Sequence, residues 1–361
     1  MKSKLKILAA CLASAGGLMA GDAWAHLCPD GVTGSALVKE ILHDCPSSAY
    51  SYGSASENTE TRTETTQQVR IVSSHLVNIL RPSAFRVKAG KDKVSFNEGG
   101  NIFSQRLASN GQEGFEGMTG LSAGGGTFNN GVWGKYNIVD TTDRTSGLTI
   151  DTVSMETAIG YDRLFKNKII VGLTPIFGRS EQKVEFNATD KSAVSSISLN
   201  PYAAYKFNDM FSLYTLAGYT WADGDRLVSD YEKSMITIGA LGFFPVDNLQ
   251  LTGNIGFWAS TTNPDDSTDE TVLNQFNASL EAAYPIETAR GGVVEPYAGV
   301  GLEIDTNFER AAGYDPNGGV LSLGTRIAFN EAWSGDVKFS DGIQRGSVRE
   351  RGLELQLNLR F

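Results

Sequence analysis

The chain of 361 residues carries a formal net charge of −10, with 41% hydrophobic residues and 40 glycines. That acidic balance disfavours nucleic acid and anionic membrane surfaces as partners. Beyond the amino terminus there is no run of about eighteen apolar residues to cross a membrane as a helix, so the hydrophobicity has to lie in alternation.

The first 25 residues read as a signal peptide, 1–25. Lys2, Lys4 and Lys6 form a basic start, Ile7 to Met19 an apolar stretch, and Ala23-Trp24-Ala25 a small-x-small cleavage site, which starts the mature chain at His26. A lipoprotein reading of Leu8-Ala9-Ala10-Cys11 leaves too few apolar residues before the cysteine. Removing Lys2, Lys4, Lys6 and Asp22 takes away a net +2, so −10 becomes −12. Cys28 and Cys45 are the cysteines that remain, with sixteen residues between them. In an oxidising compartment they are expected to form a disulfide contributing about 3 kcal/mol. A metal site is the weaker reading, because His26 and His43 are the nearby imidazoles and there is no CxxC spacing.

Residues 26–63 read as a short disulfide-bridged segment followed by a linker rich in Ser, Thr, Gln and Glu. Thr61 and Glu64 are spaced as a capping box. From there Val69, Val72, Leu76 and Ile79 share one helical face until Pro82, predicting a helix over 64–82, about 27 Å long. Gln67, Gln68, Arg70, Ser73, Ser74, His75 and Asn78 make it too polar for lipid. It suits the inside of a water-lined tube, with Asn78 as a lumen contact, or else a periplasmic surface. Residues 83–126 show little periodicity and read as an irregular connection.

From 127 to 361 the period is two. Val132, Gly134, Tyr136 and Ile138 oppose Trp133, Lys135 and Asn137, and the same pattern recurs in runs of ten residues or more. The last run has Leu353, Leu355, Leu357, Leu359 and Phe361 on one side and Glu354, Gln356, Asn358 and Arg360 on the other. Taken alone, that strand fits a sandwich core or lipid. The lengths of the runs, and the full charges and glycines on their polar side, favour lipid. Short connections such as 165–168 and 208–209 alternate with long ones at 140–147, 180–193, 222–233, 261–270, 309–319 and 340–347. The reading is an all-β transmembrane barrel of about twelve antiparallel strands, with Tyr161, Phe177, Phe207, Trp221, Phe243, Tyr284 and Phe329 as interfacial girdles.

Gly131–Val139 (GVWGKYNIV), Met155–Gly178 and the closing LELQLNLRF together resemble an autotransporter translocator barrel over about 124–361. The resemblance implies a twelve-stranded barrel with a linker helix through its lumen and an amino-terminal passenger facing outward. It also implies that the last strand, Leu353 to Phe361, is read by the barrel-assembly machinery. The segment 26–63 is far shorter than that family's usual passenger.

Chemistry is thin. A phospholipase or an omptin-like protease needs a histidine at the barrel, and His26, His43 and His75 lie outside the strands. Self-cleavage at Asn78, which some members of the family perform, and calcium at Asp223-Gly224-Asp225, Asp265-Asp266 or Asp269-Glu270 are minor readings. The expectation is a non-enzymatic barrel in the outer membrane of a Gram-negative bacterium, without a cofactor, whose partners are outer-membrane lipid and the assembly machinery. It would act as a translocator or small pore. The competing reading is a surface adhesin whose acidic loops or amino-terminal segment meet an extracellular partner.

Overall fold

The computed structural model describes residues 51–81, 129–144, 149–185, 189–224, 230–246, 248–265, 270–288, 292–306, 316–329, 332–343 and 348–361. The cleavage site at Ala23, Ala25 and His26, the pair Cys28 and Cys45, and the connection 83–126 lie outside them.

Among the described residues one helix, α1 (Ser51–Leu80), precedes the strands. In chain order these are β1 (Asn130–Asp143), β2 (Thr149–Phe165), β3 (Ile169–Glu185), β4 (Thr189–Lys206), β5 (Phe211–Gly224), β6 (Tyr231–Val246) and β7 (Leu249–Pro264). There follow β8 (Thr271–Ala283), the two-residue β9 (Ile286–Glu287), β10 (Val293–Asp305), β11 (Asn317–Ala328), β12 (Trp333–Ile343) and β13 (Val348–Arg360). Each long strand pairs antiparallel with its neighbours in sequence, and β8 with β10. The last strand returns to the first, from Gly131↔Arg360 to Asp143↔Val348, so twelve long strands close into a barrel. Closure leaves no edge with free backbone groups. The short β9 pairs only with the start of β10.

Each long strand puts large apolar residues on the outer surface, among them Leu173, Leu199, Leu213, Val300, Leu323 and Leu357. The alternate residues, including Asp162, Glu295 and Arg360, are buried inside. Tyr161, Phe177, Phe207, Trp221, Tyr284 and Phe329 are exposed on the outside. Phe243 is not: it is buried in the lumen, and its neighbour Phe244 faces out. Leu241 and Phe243 share a face two residues apart, and where both faces are apolar, alternation cannot tell which side is inner.

One rim carries Asn130, Phe361 and the tight turns. In the three-residue connection between β2 and β3, Lys166 and Asn167 adopt φ of 51° and 55°, the consecutive left-handed pair at the centre of a tight turn that the Lys168 amide closes by donating to the carbonyl of Phe165 at 3.1 Å. Between β4 and β5, Asn208 Oδ1 accepts hydrogen bonds from the amides of Met210 and Phe211, both at 2.8 Å.

On the opposite rim the strands run further than alternation predicts. The expected loop 180–193 is largely ladder, with β3 and β4 paired out to Glu185↔Thr189. Likewise β1 continues to Asp143 and β12 to Ile343. At about 3.3 Å per residue, the 17 residues of β3 extend about 56 Å, or roughly 43 Å along the barrel axis at a tilt near 40°. An apolar band about 25 Å tall covers only part of that. Apolar alternation stops at the edge of the band, whereas backbone pairing continues beyond it.

The helix also departs from expectation. It begins at Ser51 rather than at residue 64, so Thr61 and Glu64 lie within it and Thr65 Oγ1 donates to the carbonyl of Thr61 at 2.8 Å. A polar sequence does not argue against helix, and once a segment is anchored, propagation adds one hydrogen bond per residue fixed.

Candidate functional site

The lumen is the site, and α1 fills it. From Thr61 to Arg81 no residue is exposed on any face of the helix. A helix buried all round, yet this polar, needs partners on every side.

Two different walls supply them. On one side Ile71, Val72, Leu76 and Ile79 join a single apolar cluster with Ile176 of β3, Leu216 of β5, Leu241 and Phe243 of β6, Trp258 of β7 and Leu273 of β8. Close-fitting aromatics floor part of this wall. A Cβ on Gly172 would stand 2.1 Å from Cζ of Tyr202, and one on Gly239 2.3 Å from Cζ of Tyr214. Those rings lie flat on the barrel because the facing residue has no side chain.

The other wall is ionic and runs over β8 to β13 and on to β1 and β2. Arg62 donates to Asp305 at 3.0 Å and Glu303 at 3.3 Å. Arg70 donates to Glu303 and Glu350. Arg81 donates to Glu295 and pairs with Glu281 at 3.3 Å. Lys135 donates to Ser74 at 2.6 Å and pairs with Glu354 at 2.6 Å. Arg326 donates to Glu281 and Glu295. Asn78 sits in the middle of this wall. Its Oδ1 accepts from Arg326 Nε at 2.7 Å, and its Nδ2 donates to Asp336 at 3.4 Å and Gln356 at 3.3 Å.

The contacts orient the helix. Arg81 meets Glu295 near the start of β10, and Arg62 meets Glu303 and Asp305 near its end. The carboxyl end of α1 therefore lies at the rim of Asn130 and Phe361, and the amino end at the rim of the longer connections.

At the closing seam, His75 stacks on Trp133 with ring centroids 4.1 Å apart. Its Nε2 meets Asp162 at 2.8 Å, and its Nδ1 meets Gln356 Nε2 at 3.1 Å. Asp162 also accepts from Arg360 at 2.6 Å and from Tyr202 at 3.4 Å. A proton on Nε2 satisfies both contacts, so this imidazole is committed to structure and has no nitrogen free to activate a serine.

Of the residues singled out by sequence, Leu353, Leu355 and Leu357 are exposed on the outer face of β13, and Phe361 is exposed just beyond it. Leu359 is half-buried on the same face. The anchors Arg62, Arg70 and Arg81, the partners Glu281, Glu295 and Glu350, and the His75–Asp162 pair escaped sequence reading. Their signal is arginines spaced along and just after a polar helix whose glutamates, Glu57, Glu60 and Glu64, all lie in its first half.

The fold and its filled lumen define a membrane-spanning β-barrel of the translocator class. The family model described as "Autotransporter beta-domain" matches residues 127–307, half of the chain, and the chain belongs to that family of outer-membrane barrels. Among solved structures, it is similar to the beta domain of the Bordetella autotransporter BrkA, at 14% identity and a TM-score of 0.54, covering 64% of this chain and 100% of that one. It is also similar to the transport unit of the autotransporter AIDA-I from Escherichia coli, at 12% identity and a TM-score of 0.50, covering 64% and 89%. These identities establish the fold alone. No curated protein sequence matches this chain.

Proposed function

We propose that this protein is a non-enzymatic translocator of the outer membrane of a Gram-negative bacterium, at rest with its own helix as the stopper. Residues 1–25 direct export. The assembly machinery reads Leu353 to Phe361, and lipid surrounds the apolar outer face. The helix holds the segment ahead of it, 26–50, at the outer rim as a short passenger bridged by Cys28 and Cys45. The observation that carries this reading is that no residue from Thr61 to Arg81 is exposed, with the amino end of α1 at the long-connection rim.

The test is single-channel recording in planar bilayers, paired with protease shaving of intact cells. Removing residues 26–82 should raise conductance severalfold over the complete mature chain. Shaving should cut 26–50 from outside and leave 61–81 protected. Equal conductance with and without the helix would overturn the stopper role. A segment 26–50 reached only after the outer membrane is opened would overturn the orientation.

A further inference from the structure

We infer that the lumen carries a cation site that bridges α1 to the barrel wall, built from Glu64 and Glu156 with the hydroxyls of Ser154, Ser180 and Ser196, and that calcium is the cation it suits. These residues line one small cavity of about 20 Å³ between β2, β3, β4 and the helix. That is room for one ion or one water molecule. Glu64, Glu156, Ser154, Ser180, Ser196 and Tyr231 bring oxygen-bearing side chains to its lining, and the Arg179 side chain, also of the lining residues, is exposed and pairs with Glu181 at 3.1 Å.

The acidic pair alone would not make a site. The second observation is Glu156 itself. Its side chain is only 3% exposed, and Oε2 has no hydrogen-bond partner among the described residues. A buried carboxylate oxygen left bare is costly. The nearby cation is already engaged, since Lys233 Nζ and the Tyr231 hydroxyl both donate to Oε2 of Glu64. Lys233 thus pairs with Glu64 and not with Glu156. Gly178 keeps the space open, because a Cβ there would come within 2.4 Å of Ser196 Oγ.

Calcium accepts irregular sets of carboxylate and neutral oxygens, whereas magnesium demands near-octahedral geometry and retains waters that this cavity has no room for. The ion would join a helix carboxylate to a wall carboxylate that otherwise repel each other. The inference does not depend on what the barrel moves.

The test is calorimetric titration of the complete mature chain, refolded in detergent without lipopolysaccharide and stripped with a chelator. Calcium chloride is expected to show one site per barrel with a dissociation constant of about 10⁻⁴–10⁻³ M, as in extracellular calcium modules. Glu156→Gln should weaken binding at least tenfold, and Ser180→Ala severalfold. Heat-modifiable gel mobility confirms that each variant is folded. Magnesium and sodium chlorides should not compete at matched ionic strength. No saturable binding, unchanged affinity in Glu156→Gln, or unchanged affinity after removal of residues 26–82 would each overturn the inference.

Discussion

Replacing Asp162 by Asn tests how the barrel closes on its helix. Asp162 is fully buried and accepts from Arg360 on the last strand, His75 on the helix and Tyr202 on β4. One carboxylate therefore joins the seam, the stopper and the apolar wall. Asn keeps the shape but removes the charge, which leaves the guanidinium of Arg360, 5% exposed, without its counter-ion. Breaking a buried pair in this way costs about 3–5 kcal/mol, or more than two decades in the folded-to-unfolded ratio at about 1.4 kcal/mol per decade. The assay is urea unfolding of the refolded protein in lipid vesicles, read as loss of heat-modifiable mobility. Arg360→Met alone should be destabilising too. The double variant Asp162→Asn with Arg360→Met should recover most of the loss, because removing both charges leaves neither one buried and alone. A single Asp162→Asn variant within about 1 kcal/mol of wild type, or a double variant as poor as the two singles added, would refute the reasoning.

Gly172→Val should depress the folded yield sharply, because its Cβ would meet the Tyr202 ring, whereas Gly253→Ala, with nothing within 4 Å, should fold as wild type in the same gel assay. Leu76→Ala empties a fully buried position of the helix and is expected to cost about 2–5 kcal/mol, read as a lower urea midpoint and more frequent channel openings. Asn78 is tied by three side-chain contacts to β11, β12 and β13, so intact mass of the purified mature chain should begin at His26 in both wild type and Asn78→Ala. A wild-type chain cut beside Asn78 would show instead that the wall activates that amide.

The barrel was legible because its environment writes a simple code. With hydrocarbon outside and a polar lumen inside, the faces of each strand must differ residue by residue, and Leu353 to Phe361 displays that difference without interruption. Where both faces are apolar, as at Phe243 and Phe244, the code fails. It also fails above the membrane, where β3 and β4 keep pairing through Ser, Gln and Lys residues that alternation reads as loop. The early start of α1 at Ser51 was hidden for a related reason: polarity reports contact with water or polar walls, not whether the backbone is helical.

Sequence by itself determined the class of the protein: twelve amphipathic strands and a helix too polar for lipid. Those are local properties, set by which side chains follow one another at a period of two or 3.6. Which rim the helix enters by, which charges it meets, and that Glu156 is left with a bare oxygen were decided only by the closed barrel. Partners such as Arg62 and Asp305, 243 positions apart, are chosen by strand register and by the curvature of the wall, and neither is written in any short stretch of the chain.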